Sequence, residues 1–153
     1  MAVDRDISRT ALEHELDRAG SSAERRGWQL QWNADTLLLQ ASITAPDGEA
    51  YVFEFQYDDY PELPPKIDAI YPGSNERNTP RCFPSGGRGY FHPTNLICAP
   101  WSRNAYKRLG GPHGDWAIGD WRQADPLRKE LGPILTLLAD LLEDSTYQGR
   151  RAQ

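Results

Sequence analysis

The sequence predicts an α+β fold, and three observations carry that reading. Apolar residues recur at helical spacing near the N-terminus. They alternate with polar ones in short runs over residues 28–71, and return to helical spacing after Asp125. The expected order is an N-terminal helix, a four-stranded antiparallel meander, a long cysteine-bearing loop and a C-terminal helix. One domain over residues 1–153 accounts for the whole chain, and a 39% apolar fraction gives it a core.

The first helix is expected over residues 7–26, with Ile7, Ala11, Leu12, Leu16 and Ala19 as its apolar stripe. Asp6 or Ser8 is placed to cap its start, and Gly20 or Gly27 to end it. Strands follow over residues 28–32, 36–45 and 50–57, and Asp47-Gly48 reads as the hairpin turn between the second and third. Phe53, Phe55 and Tyr57 fall on one face of the third strand, Glu54 and Gln56 on the other. Tyr60-Pro61-Glu62-Leu63-Pro64-Pro65 forces a stiff, extended bend before a fourth strand over residues 66–71. Residues 73–91 and 102–124 are rich in glycine and lack periodicity, so both read as long loops. Gly110, Gly111 and Gly114 lend the second loop mobility, while Trp116 and Trp121 tie it down by packing. Asp125-Pro126 opens the last helix, whose stripe runs from Leu127 through Leu142 with an interruption at Gly132-Pro133. Residues 148–153 are expected to fray.

A net charge of −5 argues against nucleic acid as a partner. No apolar run nears the ~20 residues of a membrane span, and the N-terminus has no signal-peptide core. The expected compartment is the cytoplasm, where Cys82 and Cys98 remain free thiols. Lys66, Lys107 and Lys129 are the only lysines, so lysine-directed chemistry would find few targets on the chain itself.

The stretch with the most chemistry is His92-Pro93-Thr94-Asn95-Leu96-Ile97-Cys98-Ala99-Pro100-Trp101. Its prolines fix an ordered, non-helical loop around Cys98. A thiol so held is either a covalent nucleophile or a buried structural residue.

Four features, in order, give the chain a resemblance to the ubiquitin-conjugating enzymes, in a divergent form like those encoded in bacterial operons. They are the N-terminal helix before a four-strand meander; Tyr60-Pro61-Glu62-Leu63-Pro64-Pro65-Lys66-Ile67, similar to the family's Tyr-Pro-x-x-Pro-Pro-Lys-Val; His92-Pro93-Thr94 beside the family's His-Pro-Asn, followed by Ile97-Cys98; and the leucine-rich helix after the cysteine. The departures are specific. Thr94 replaces the triplet's asparagine, with Asn95 next to it, and the triplet lies closer to the cysteine. A Gly/Pro-rich insertion carries Cys82, the segment after Cys98 is longer, and the family's last two helices are missing. Trp101 or Trp121 would stand in for the family tryptophan after the cysteine.

The resemblance implies an acyl carrier without cofactor or metal. Cys98 takes the C-terminal carbonyl of a ubiquitin-like protein from a ubiquitin-activating-like enzyme and passes it to an amine, with a deubiquitinase-like metalloprotease in the same pathway. Asn95 is then the candidate oxyanion donor, or a loop asparagine bonded to its own backbone. His92 orders the loop or serves acid–base chemistry, and Asp115 polarises the incoming amine or is merely solvated. Three rivals stand beside this reading. They are a non-catalytic binding module of the same fold, of the RWD type; a metal site from Cys82, His92, Cys98 and His113; and a cysteine hydrolase pairing Cys98 with His92 or His113.

Overall fold

The computed structural model describes residues 3–152 and has the expected α+β architecture. Helix α1 (Arg5–Arg26) leads into four strands, β1 (Gln29–Asn33), β2 (Leu38–Thr44), β3 (Ala50–Gln56) and β4 (Lys66–Ile70). They form one antiparallel sheet in the order β1-β2-β3-β4. The period-two pattern sets the register: Phe53 and Phe55 pair with Ala41 and Leu39 and face the core, while Glu54 and Gln56 face outward.

A short hairpin, β5 (Phe91–His92) and β6 (Leu96–Ile97), follows the first long loop. Beyond it come a four-residue turn of helix, α2 (Trp121–Ala124), and the closing helix α3 (Leu131–Glu143). Helix α3 is buried on nearly every side because it is held between α1 and the sheet. Trp101 and Trp121 both sit in the core, the latter donating its indole N–H to the Pro61 carbonyl at 3.1 Å.

Several boundaries differ from the sequence reading for identifiable reasons. Asp4, not Asp6 or Ser8, caps α1, accepting the Asp6 N–H at 2.8 Å, and Gly27 ends it in the left-handed region at φ 77° while Gly20 stays inside. The buried stripe of α1 is Ser8, Leu12, Glu15, Ala19 and Ala23, whereas Ile7 is 57% exposed. Ser8 belongs inside because its hydroxyl donates to the Tyr60 carbonyl at 2.6 Å. Helix α3 starts at Leu131 rather than after Asp125, leaving Leu127 exposed. Gly132-Pro133 is therefore no kink: it occupies the first turn, where a missing N–H takes no intrahelical bond away.

The C-terminal segment is not frayed over its described part; Gln153 lies outside the described residues. Gln148 and Arg151 donate backbone N–H groups to Ser85 and Phe83, and Gly149 accepts one from Ser85. Arg150 and Arg151 add side-chain bonds to the carbonyls of Arg81, Ala50, Phe91 and His92. Arginines so near a terminus read as solvated charges until these carbonyls are seen.

Glu15 is a carboxyl buried in this core, 3% exposed. Its Oε1 accepts the Leu131 N–H at 2.9 Å, capping α3 from another helix, and its Oε2 accepts the Tyr60 hydroxyl at 2.5 Å. Burial holds its carboxyl above the ordinary 4.5, against those two hydrogen bonds, which pull it down. Protonation thus favours the folded chain, and that contribution is lost as pH rises through the raised folded value. Urea unfolding across pH should show wild type losing stability relative to Glu15→Gln as pH climbs above 4.5. Glu15→Ala, which orphans two buried donors, should cost about 2–4 kcal/mol.

Candidate functional site

Cys98 follows β6 directly, on extended backbone, with its N–H donated to the Tyr90 carbonyl at 2.7 Å. It is half-buried, and Cys82 and Cys98 are both free thiols. The hairpin that delivers it pairs Phe91 with Ile97 and His92 with Leu96 across the three-residue loop Pro93-Thr94-Asn95. Such loops end on a residue with positive φ, and Asn95 supplies it at φ 65°, a conformation asparagine tolerates better than most.

Each expected neighbour has a defined place. His92 Nδ1 accepts the Thr94 N–H at 3.1 Å and meets the Thr94 hydroxyl at 2.7 Å, which makes the ring a brace inside the loop. Asn95 directs Oδ1 toward the Arg151 guanidinium at 3.4 Å, lining a shallow cleft with Pro93, Arg151 and Ala152. Asp115 lies exposed on a turn two residues from His113. Cys82 is wholly buried, bonded to the Thr79 hydroxyl and the Glu76 carbonyl. The four residues of the metal reading are thus not gathered, and among the described residues no group of His, Cys, Asp and Glu is built to hold a metal ion.

The residue the fold does bring to the thiol is His113, weighed in the sequence only as a partner in the hydrolase and metal alternatives. Its Nε2 is in hydrogen-bond contact with Cys98 Sγ. Burial pushes the Cys98 thiol above its ordinary value of 9.0, which favours the S–H form beside the ring. Trp116 stacks on the imidazole, ring centroids 3.9 Å apart and planes 6° from parallel, and itself meets Tyr106 edge-on at 5.8 Å.

The glycines of this loop do not loosen it. Gly111 donates its N–H to the Tyr106 carbonyl and His113 donates its own to Ala105, each at 2.7 Å. A Cβ on Gly111 would stand 1.9 Å from the Asn104 carbonyl oxygen, so only glycine admits the fold-back that aims His113 at Cys98. Behind it, Arg103 grips the proline bend, with Nη1 3.1 and 3.2 Å from the two Asp58 carboxylate oxygens and Nε 2.9 Å from the Pro64 carbonyl.

Such a pair can add a thiol to an acyl carbon with the imidazole holding the displaced proton. His113→Ala should slow acylation of Cys98 by a peptide thioester by about 10²–10⁴-fold, followed by intact mass. Gly111→Ala should do nearly the same without touching either reacting group.

A second pair of variants separates the two readings of Asn95. Asn95→Gly keeps the positive φ and removes the amide, and should leave both acylation and discharge unchanged. Asn95→Ala should cost about 1 kcal/mol of stability through backbone strain, read as a shifted urea midpoint.

No family model matches the chain, and no curated protein or solved structure matches it either.

Proposed function

We propose that the protein is an acyl carrier of the ubiquitin-conjugating type, accepting a ubiquitin-like protein as a thioester on Cys98 and transferring it to an amine, in most targets a lysine side chain. The observation that carries this reading is the half-buried Cys98 in hydrogen-bond contact with His113, at the end of the hairpin that opens with His92-Pro93. The order of elements supports it, as does a proline bend clamped to the segment after the cysteine.

The chemistry follows from a thiol and an imidazole in contact. Cys98 Sγ attacks the carbonyl carbon of an incoming thioester while His113 Nε2 takes its proton. The donor's carbon–sulfur bond breaks, and the departing thiolate recovers that proton. In the second step the amine attacks the Cys98 thioester and gives a proton to His113, and Sγ leaves. A thiol suits both steps because it is nucleophile and leaving group in turn. Asp115, exposed near His113, has the charge to orient an ammonium on its approach. The partners are a ubiquitin-like protein, its activating enzyme and a deubiquitinase-like metalloprotease that reverses the product.

The Cys98–His113 contact equally favours a cysteine hydrolase, in which water replaces the amine. One experiment separates the readings. The protein is incubated with a peptide thioester, and the adduct is followed by intact mass with and without free lysine. The carrier reading expects a thiol-sensitive adduct, absent in Cys98→Ser and retained in Cys82→Ser, that is stable in buffer and discharged by lysine. Breakdown in buffer as fast as with lysine would establish the hydrolase. No adduct at all would leave the non-catalytic module.

A further inference from the structure

His113, the thiol's neighbour, also lines a cleft of about 250 Å³. Leu63 of the proline bend, Trp116 and Ile118 make it apolar, and Lys107 and Arg108 stand at its edge. Among the described residues, nearly every lysine and arginine is engaged with a carboxylate, a hydroxyl or a carbonyl. Most exposed ones are too, Lys129 apart: Arg9 pairs with Asp6, Arg18 with Glu130, Arg77 with Glu54 and Arg88 with Asp144. Lys107 and Arg108 have no such partner, on a chain whose net charge is −5. Two unpaired cations beside one apolar cleft make a surface that is complementary to an acidic, apolar segment.

The packing keeps that surface in place. The aliphatic stem of Lys107 lies along Gly114, where a Cβ would come within 2.6 Å of it, and the cation sits beyond the stem. An incoming lysine carries the wrong charge for this cleft, which leaves the acyl donor as its occupant.

We propose that the cleft is the subsite for the residues just upstream of the donor's C-terminal carbonyl, and that it selects an apolar side chain next to a carboxylate. The proposal rests on the acyl-carrier reading and names its donor by chemistry: a ubiquitin-like protein whose tail is acidic and apolar. Lys107 and Arg108 attract the carboxylate, the apolar wall takes the neighbouring side chain, and the carbonyl is presented to Cys98 past the His113 ring.

The test uses the full chain and three peptide thioesters with a neutral thiol leaving group: acetyl-Leu-Glu-Gly, acetyl-Leu-Lys-Gly and acetyl-Ser-Glu-Gly. Acylation of Cys98, read by intact mass, should be about tenfold faster for Leu-Glu-Gly than for Leu-Lys-Gly, and the gap should shrink with salt. Leu-Glu-Gly should also outpace Ser-Glu-Gly, and the double variant Lys107→Glu, Arg108→Glu should reverse the charge preference. Equal rates, or a preference that survives charge reversal, overturn the subsite while leaving the carrier intact. Should none of the thioesters acylate Cys98, the carrier reading falls. Calorimetric titration of the same peptides, as amides, into Cys98→Ser then decides. Tighter binding of Leu-Glu-Gly, lost on charge reversal, upholds the subsite, and indifferent binding overturns it.

Discussion

The outer edge of β4 is where this structure had a problem to solve. An edge strand presents backbone donors and acceptors that must find partners, and among the described residues β4 gains only an isolated bridge from Ile70 to Arg77 rather than a fifth strand. Two asparagines take the place of a strand. Asn78 accepts the Ala69 N–H on its side-chain oxygen and gives its own N–H to the Ala69 carbonyl, while Asn104 accepts the Ile67 N–H, at distances of 2.9–3.0 Å. Their amide nitrogens then meet at one acceptor, Oδ1 of the nearly buried Asp68, 3.0 and 3.4 Å away. Asn78 belongs to the loop before the cysteine and Asn104 to the loop after it. A single carboxylate on the sheet therefore indexes both irregular segments, and the meeting of Cys98 with His113 inherits that register. Arg77, 3.3 Å from Asp68 and 2.6 Å from Glu54, supplies the charge that keeps such a carboxylate tolerable so near the core.

This division of labour explains what was legible in the sequence. Strands β2 and β3 were, because period-two alternation is written locally and one buried face enforces it. The inner stripe of α1 was displaced because Ser8 and Glu15 are polar by composition and buried by partnership, and their partners Tyr60 and Leu131 are far off in sequence. Periodicity cannot register a hydrogen bond to a distant helix start. Leu127 extended the leucine stripe of α3 backwards by sequence alone, yet the chain turns away before Glu130 and leaves it in solvent. The C-terminal arginines misled in the opposite sense, since they are anchored by carbonyls that only the folded loops expose.

The site divides in the same way. Cys98 was legible from the residues flanking it, because prolines and a short hairpin announce an ordered loop. His113 was not, since its relation to the thiol depends on a fold-back between Asn104 and Gly111 that leaves no period or motif. A signal did exist: a glycine pair, a histidine and a tryptophan within seven residues, in a loop too long for connection alone. Asn95 was read from its amide, but its backbone is what the hairpin uses first, as φ 65° attests. His92 is similar, with a ring nitrogen spent on the Thr94 turn.

The state of the Cys98–His113 pair follows from where the hairpin leaves the thiol. A fully exposed cysteine would ionise more readily and also react with any electrophile it met. Half-burial raises the barrier to forming a lone thiolate, so nucleophilicity appears when an acyl carbon is at hand and the proton has somewhere to go. In the carrier reading that proton must be returned for the departing sulfur to leave as a thiol, and an imidazole can both take and return a proton where an arginine cannot. Stacking on Trp116 backs one face of the imidazole, with the ring centroids 3.9 Å apart, and leaves Nε2 at the ring edge facing the thiol. Both the half-burial of the thiol and its contact with His113 thus trace to the loop geometry that Asp68 and the two asparagines hold in register.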